Sequence, residues 1–104
     1  MRTEAADRLP ASSCEAASDL LQALAHPVRL RIVCGLLDGS CGVGSIVDCL
    51  ALPQAFVSRH LAILREAGVI SAVTEGRRRV YRVCHPAVPP LVDALCHSFR
   101  GASP

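Results

Sequence analysis

The stretch LPQAFVSRHLAILREAG, residues 52–68, carries two different patterns on one short helix. Val57, Leu61 and Leu64 recur at helical spacing, which predicts an apolar face that packs on a core. The opposite side combines small and hydrogen-bonding residues: Gln54, Ala55, Ser58, Arg59 and Ala62. A helix that only fills a core does not need such an outer face. The pattern therefore favours a helix that inserts into another molecule.

Three further helices are predicted before this stretch, because apolar residues repeat there at i, i+3, i+4 and i+7. Ser12 and Glu15 have the spacing of a capping box, which predicts that the first helix starts at Ser12. Pro27 suits the first turn of the second helix, and Gly39 ends it. The three apolar faces comprise Ala17, Leu20, Leu21 and Leu24; then Leu30, Val33, Cys34 and Leu37; then Val43, Ile46, Val47 and Leu50.

Two strands and a last helix are predicted after this stretch. The β-branched run at 69–74 and the run at 77–84 read as strands, and residues 75–76 form the turn between them. A helix follows near Pro89, with Leu91, Val92, Leu95 and Phe99 as its apolar face. The predicted order is α-α-α-α-β-β-α: a mostly α fold with a small β-hairpin, which is the pattern of a winged helix-turn-helix. We expect a flexible arm at 1–11, a DNA-binding and dimerisation domain at 12–100, and a tail at 101–104.

Composition limits the class of protein. The chain has 104 residues, of which 51% are apolar and 3% aromatic, so it is expected to be one domain with an aliphatic core. A second copy would help such a small domain to bury enough surface. No apolar run approaches about 18 residues and no signal peptide is visible, so a cytoplasmic protein without a membrane partner is expected. Six cysteines without a C-x-x-C are expected to be thiols.

The predicted outer surface matches what duplex DNA requires. Gln pairs with adenine, Arg with guanine and Ser with phosphate, and base contacts come from the first turns of a recognition helix. Three arginines at the hairpin tip are placed to reach phosphates or the minor groove. The predicted DNA-binding residues are Gln54, Ala55, Ser58, Arg59, His60, Arg65, Arg77, Arg78 and Arg79. The alternative to DNA binding is that the helix face and the hairpin turn are simply polar surfaces exposed to solvent.

Three segments in succession resemble the ArsR/SmtB family of small bacterial winged-helix repressors. They are HPVRLRIVCGLL, LPQAFVSRHLAILREAGVI and EGRRRVYRV, within a resemblance that covers about residues 15–99. The resemblance implies a homodimer built from the first and last helices. It also implies binding to a pseudo-palindromic operator and release by a metal ion, a metalloid or a reactive small molecule. The family often has Ser or Thr where this chain has Pro53, Ala55 and Phe56, so operator preference does not transfer.

The sensing residues are expected among the cysteines. Where the family's arsenic and cadmium site has C-x-C, this chain has GVG at 42–44, and the zinc site on the last helix is also broken. The persulfide-sensing branch implies one cysteine at Cys34 and a second about one turn after Cys96. Two alternatives stay open: persulfide sensing by Cys34 and Cys96, or trivalent arsenic or antimony held by these two and a third thiolate. Candidates for the third ligand are Cys14, Cys41 and Cys84. No cofactor is required.

Other functions explain less of the sequence. A thiol-rich metal-binding or buffering protein would explain the cysteines, but not the basic hairpin or the outward face of the fourth helix. An enzyme would need an orienting partner for a Cys–His pair, and none is placed convincingly. Each cysteine alone can also be a small buried apolar residue, as Cys34 on its apolar stripe illustrates. The predicted function is a DNA-binding repressor controlled by a small inorganic inducer.

Overall fold

A computed structural model describes residues 8–38 and 46–100. Its elements follow the predicted order: α1 (Ala11–Leu24), α2 (Pro27–Asp38), α3 (Ile46–Leu50), α4 (Gln54–Glu66), β1 (Ile70–Glu75), β2 (Arg78–Val83) and α5 (Val88–Arg100). The predicted winged helix-turn-helix order is thereby confirmed. The predictions for Gly39, Val43, Cys41, most of the N-terminal arm and the 101–104 tail lie outside the described residues.

The start of α1 differs from the prediction. The helix begins at Ala11, and Pro10 precedes it with φ −58 and ψ 157 and no side-chain capping bond. The backbone N–H of Cys14 donates to the Pro10 carbonyl at 2.8 Å, so Ser12 already lies inside the first turn. The predicted capping box is therefore wrong, because proline fixes an extended entry one residue earlier than the serine.

The core lies where α1, α2 and α4 meet the base of the hairpin and the start of α5. As predicted, Val57, Leu61 and Leu64 of α4 are buried. They join a wholly aliphatic cluster, which consists of Leu20, Ala23, Leu24, Ile32, Val33, Ile46, Leu50, Val57, Leu61, Leu64, Val69, Ile70, Val88 and Val92. The core therefore needs no aromatic side chain, and it fixes α4 rigidly from one side.

Two helices leave apolar side chains in solvent. In α5, Val92 is buried, but Leu95 is 42% exposed and Phe99 is 70% exposed. In α1, Leu20 is buried but Leu21 is 52% exposed. The predicted apolar stripes of these two helices are therefore only partly covered within the single chain. Helical spacing identifies an apolar stripe but not the partner that covers it.

The hairpin is antiparallel, with Glu75 opposite Arg78 and Ile70 opposite Val83. A two-residue turn joins the strands, and Gly76 has φ +64 at its first position, where the type II′ turn favours glycine. Gly68, with φ +77, separates α4 from β1. The hairpin therefore projects directly from the end of α4.

Within the described residues, none of the single helices is long and apolar enough to cross a membrane. Only α1 and α2 taken together, with a 93° bend between them, meet the criteria of length and composition.

Candidate DNA interface and thiol pair

The outward face of α4 is free in the chain. Gln54, Ala55, Ser58 and Arg59 are all exposed, as predicted, and they occupy the first two turns of the helix. Pro53 precedes α4 in an extended conformation with ψ 139, so the chain enters the helix without a side-chain cap. The first N–H groups of the helix point outward at this end, where they and the positive end of the helix dipole attract phosphate.

A tight turn sets α4 against α3. Ala51 adopts a left-handed conformation with φ 56, which is uncommon for a residue other than glycine. Its N–H lies 2.9 Å from the Val47 carbonyl and 3.2 Å from the Asp48 carbonyl, so it satisfies the end of α3. Three residues, 51–53, separate the helices. This is the helix-turn-helix that the sequence predicted around residues 51–53.

His60 does not belong to the outward face. Its side chain is only 8% exposed, on the core side of α4. The ring lies 4.5 Å from that of His26 and 4.7 Å from that of Phe56, which meets it edge-on. Its Nδ1 atom is 3.1 Å from Nη1 of Arg29. The prediction that His60 contacts DNA is therefore wrong, because its position on the helix turns it towards α2.

The other predicted arginines lie in two places: the last turn of α4 and the tip of the hairpin. Arg65 is exposed in the last turn of α4. It lies about 16 Å along the axis from Gln54, so it is placed for backbone rather than base contact. Arg77 and Arg79 are exposed at the hairpin tip, and Arg79 is paired with Thr74. The side chain of Arg78 is outside the described part of the chain.

Cys34 of α2 and Cys96 of α5 are brought together. Both are half-buried free thiols, and a side-chain hydrogen bond joins them. Burial raises the pKa of Cys34, and the neighbouring Cys96 and Asp38 act in the same direction. Both cysteines line an open groove of about 660 Å³ between α2 and α5, beside His97 and Arg100. The predicted pair is therefore adjacent, although Cys96 precedes the position that the family resemblance implies.

Among the described residues, three other cysteines, Cys14, Cys49 and Cys84, do not line this groove. The thiol of Cys14 donates to the Leu9 carbonyl at 3.4 Å, and that of Cys84 to the Gly68 carbonyl at 3.4 Å. Cys49 is disulfide-bonded, so the expectation of free thiols does not hold for it. In residues 8–38 and 46–100, no three metal-binding side chains come together. Cys14 and Cys84 are thus not third ligands within the single chain.

Sequence reasoning missed one residue of this region, Arg29. Its guanidinium donates to the carbonyls of Gln22 and Ala23 in the last turn of α1, and it also reaches His60 on α4. The only signal was its place in the HPVRL segment, next to the proline that opens α2. Nothing in the helical spacing of α2 indicates that an arginine on this side bonds to two other helices.

Comparison with known proteins agrees with this geometry. Residues 26–72 match the family model described as "Bacterial regulatory protein, arsR family". The chain is 41% identical over 94 residues to the HTH-type transcriptional repressor SmtB of Mycobacterium tuberculosis, covering 89% of this chain and 70% of that protein.

Two solved structures share the fold. The transcriptional repressor BigR from Xylella fastidiosa superimposes with a TM-score of 0.78 at 30% identity, covering 95% of this chain and 97% of that one. The homodimeric winged helix-turn-helix DNA-binding domain Mb0332 from Mycobacterium bovis gives a TM-score of 0.75 at 26% identity, covering 86% and 83% of the two chains. The chain belongs to the arsR family of bacterial regulatory proteins and is a DNA-binding transcriptional regulator rather than an enzyme.

Proposed function

We propose that the protein is a cytoplasmic homodimeric repressor whose release from its operator is controlled by the thiols of Cys34 and Cys96. The observation that carries the proposal is the hydrogen-bonded contact between these two thiols in the groove between α2 and α5. Neither α2 nor α5 is the recognition helix, so a reaction at the thiols does not compete directly with DNA for the same surface. Control of this kind is a coupling between two sites, of the order of 1–3 kcal/mol.

DNA binding is assigned to the exposed first turns of α4 and to the hairpin tip. In a two-fold dimer, the two α4 helices would enter successive major grooves about 34 Å apart. Arg59 and Gln54 are placed for base edges, and Arg77 and Arg79 for phosphates. Leu21, Leu95 and Phe99 supply the apolar surface of the dimer, because all three are exposed in the single chain.

The sulfur chemistry follows from the two thiols. Because burial raises the pKa of Cys34 and so disfavours its thiolate, we assign the first nucleophilic attack on a persulfide donor to Cys96. Attack on the outer sulfur of the donor breaks the donor's S–S bond, releases the donor as a thiol and leaves Cys96 as Cys–S–SH. Attack by Cys34 on the Cys96 sulfur forms a disulfide and releases hydrogen sulfide. If both cysteines are persulfidated first, the same reaction leaves a trisulfide.

A groove with two thiols favours the persulfide reaction over the binding of a metalloid ion. Trivalent arsenic or antimony is expected to take three thiolates, whereas the groove holds two. A third would have to come from outside the described residues or from the partner of a dimer. Metalloid binding is therefore the alternative outcome of the test and not the proposed mechanism.

The test begins with a duplex that the reduced protein selects from a random library. We expect a persulfide donor to lower affinity for that duplex roughly 5–150-fold, with a disulfide or trisulfide link between Cys34 and Cys96 in the mass spectrum. Cys34→Ser and Cys96→Ser should bind the same duplex and fail to respond. Cys84→Ser is the matched control, since this thiol is exposed and outside the groove, and it should respond as wild type does.

Two results would contradict the proposal. One is a full response of the Cys34→Ser, Cys96→Ser double variant to the donor. The other is retention of one arsenic or antimony atom per site, with loss of DNA binding, while persulfide leaves binding unchanged.

A further inference from the structure

Arg29 joins three helices at a single guanidinium. It donates to the carbonyls of Gln22 and Ala23 in the last turn of α1, and the Gln22 carbonyl also accepts from the Ala25 N–H at 3.3 Å. It also lies 3.1 Å from Nδ1 of His60 on the inner side of α4. Arg29 itself sits in the first turn of α2. The guanidinium therefore fixes α4 to both of the helices that lie behind it.

The contact with His60 determines the protonation state of the imidazole. An arginine side chain has five donors and no acceptor, so Nδ1 of His60 has to accept the hydrogen bond. Only the neutral ring with its proton on Nε2 has a lone pair at Nδ1. When His60 is protonated, an N–H on Nδ1 faces the guanidinium, and the hydrogen bond is replaced by repulsion between two cations.

The surroundings offer the protonated ring no compensation. The charged groups acting on His60 are His26 from the α1–α2 connection, Arg29 from α2 and Arg59 from its own helix, all of which oppose a positive ring. Burial lowers the pKa of His60, and these three groups lower it further. Asp19 and Glu66 line a groove with Arg29, but His60 does not line it, and neither carboxylate is among the groups that shift the pKa of His60. Phe56 closes another side of the ring.

We propose that Arg29 is a positioning residue for the recognition helix, and that its hydrogen bond to His60 makes operator binding sensitive to protons. At neutral pH the bond holds α4 against α1 and α2, with the base-reading face outward. On acidification, protonated His60 breaks the bond, and α4 loses the contact that sets its orientation. Operator affinity then falls without any chemistry at Cys34 or Cys96.

The direction of the pH effect follows from linkage. A neutral imidazole is favoured in the folded, DNA-competent state, so a state without the Arg29 bond takes up more protons as pH falls. The stabilisation is complete above the ordinary histidine pKa of about 6.5 and is lost progressively below it. The loss of affinity cannot exceed about tenfold per pH unit for one proton.

The first experiment follows the imidazole of His60 by ¹⁵N NMR in the reduced protein without DNA. We expect a bare Nδ1 and a protonated Nε2 at neutral pH in the wild type. The Arg29→Met variant should lose this tautomer preference, since the donor is absent. A protonated Nδ1 in the wild type at neutral pH overturns the proposal, even if the protein proves not to bind DNA.

The second experiment measures affinity for the selected duplex between about pH 8 and pH 5.5 at constant ionic strength, because salt alone changes DNA binding. We expect a loss of about five-fold or more in the wild type, within the limit of about tenfold per pH unit for each of the two His60 side chains of a dimer. His60→Asn keeps an acceptor near the Nδ1 position but does not titrate, so its loss should be about two-fold or less. His97→Gln removes an exposed imidazole on α5 and should retain the wild-type pH dependence.

The same pH dependence in His60→Asn and in the wild type overturns the proposal. If His60→Asn does not fold, the decision comes from the wild type: the midpoint of the affinity loss must coincide with the NMR titration of His60. A midpoint that follows another histidine refutes the assignment.

Discussion

Helices α4 and α5 have equal length and similar apolar stripes, but their environments differ. The stripe of α4 is covered within its own chain, where Val57 and Leu64 are fully buried. The stripe of α5 is covered only over its first half, and Leu95 and Phe99 remain in solvent. A helix whose stripe is completed inside the chain can present its other face to DNA. A helix whose stripe is incomplete requires a second molecule, and we assign that role to a second copy.

The largest expected effect is a cavity under α4. Leu64→Ala should lower the free energy of unfolding by about 2–5 kcal/mol, because a fully buried leucine is truncated. Leu95→Ala on α5 is the matched variant and should change monomer stability by no more than about 0.5 kcal/mol. Denaturation at protein concentrations low enough to dissociate a dimer checks both. Equal losses of unfolding free energy in the two variants would contradict the view that only the apolar stripe of α4 is covered within its own chain.

The second effect concerns association. Phe99→Ala should weaken self-association by about 2 kcal/mol, or roughly 30-fold in dissociation constant, since the most exposed large apolar side chain is removed from the surface assigned to the dimer. Sedimentation equilibrium measures this directly. Ile63→Ala on α4 removes another exposed apolar side chain and serves as the control, with unchanged association expected. An unaltered dissociation constant for Phe99→Ala would exclude this surface from the dimer.

The third effect tests which arginines contact DNA phosphates. Arg79→Gln should reduce the slope of log affinity against log salt by about 0.9, the value for one phosphate contact, and should weaken binding to all duplexes alike. Arg100→Gln on α5 is the charge-matched control, because it lies far along the chain from the DNA face. Its salt slope should equal that of the wild type. A change of slope in Arg100→Gln, with none in Arg79→Gln, would reassign the DNA-binding surface.

The smallest effect lies at the junction of α4 and β1. Gly68→Ala should cost about 1 kcal/mol, because Gly68 has φ +77. A Cβ there meets nothing within 4 Å, so the cost is in the backbone rather than in packing. Gly68→Asn should cost less, since asparagine tolerates this conformation better. Thermal unfolding would rank the two, and a cost in Asn above that in Ala would contradict a purely conformational origin.

Local patterns were sufficient to predict the order of elements. Periodic apolar residues, Pro27, Pro53 and Gly68 mark the helices, and β-branched residues mark the hairpin. The prediction of the buried residues of α4 was correct because this short helix has only one strongly apolar face. The start of α1 was misplaced by one residue, since Pro10 determines the entry in place of the Ser12 capping box.

Contacts between distant elements were not predictable in the same way. His60 was assigned to DNA because its neighbours Ser58 and Arg59 face outward, although its own angle on the helix turns it inward. The Arg29 contacts join residues 31 positions apart, and no spacing within α2 encodes them. The adjacency of Cys34 and Cys96 depends on how α5 crosses α2. That crossing is a property of packing, and the spacing within neither helix encodes it.

The position of Cys96 has a mechanical consequence. Phe99 follows it by three residues on α5, which is an axial distance of about 4.5 Å. A sulfur bridge that draws Cys96 towards α2 therefore displaces, in the same rigid segment, the aromatic ring assigned to subunit contact. The oxidation state of two atoms would in this way be transmitted to the relative orientation of two subunits over less than one helical turn.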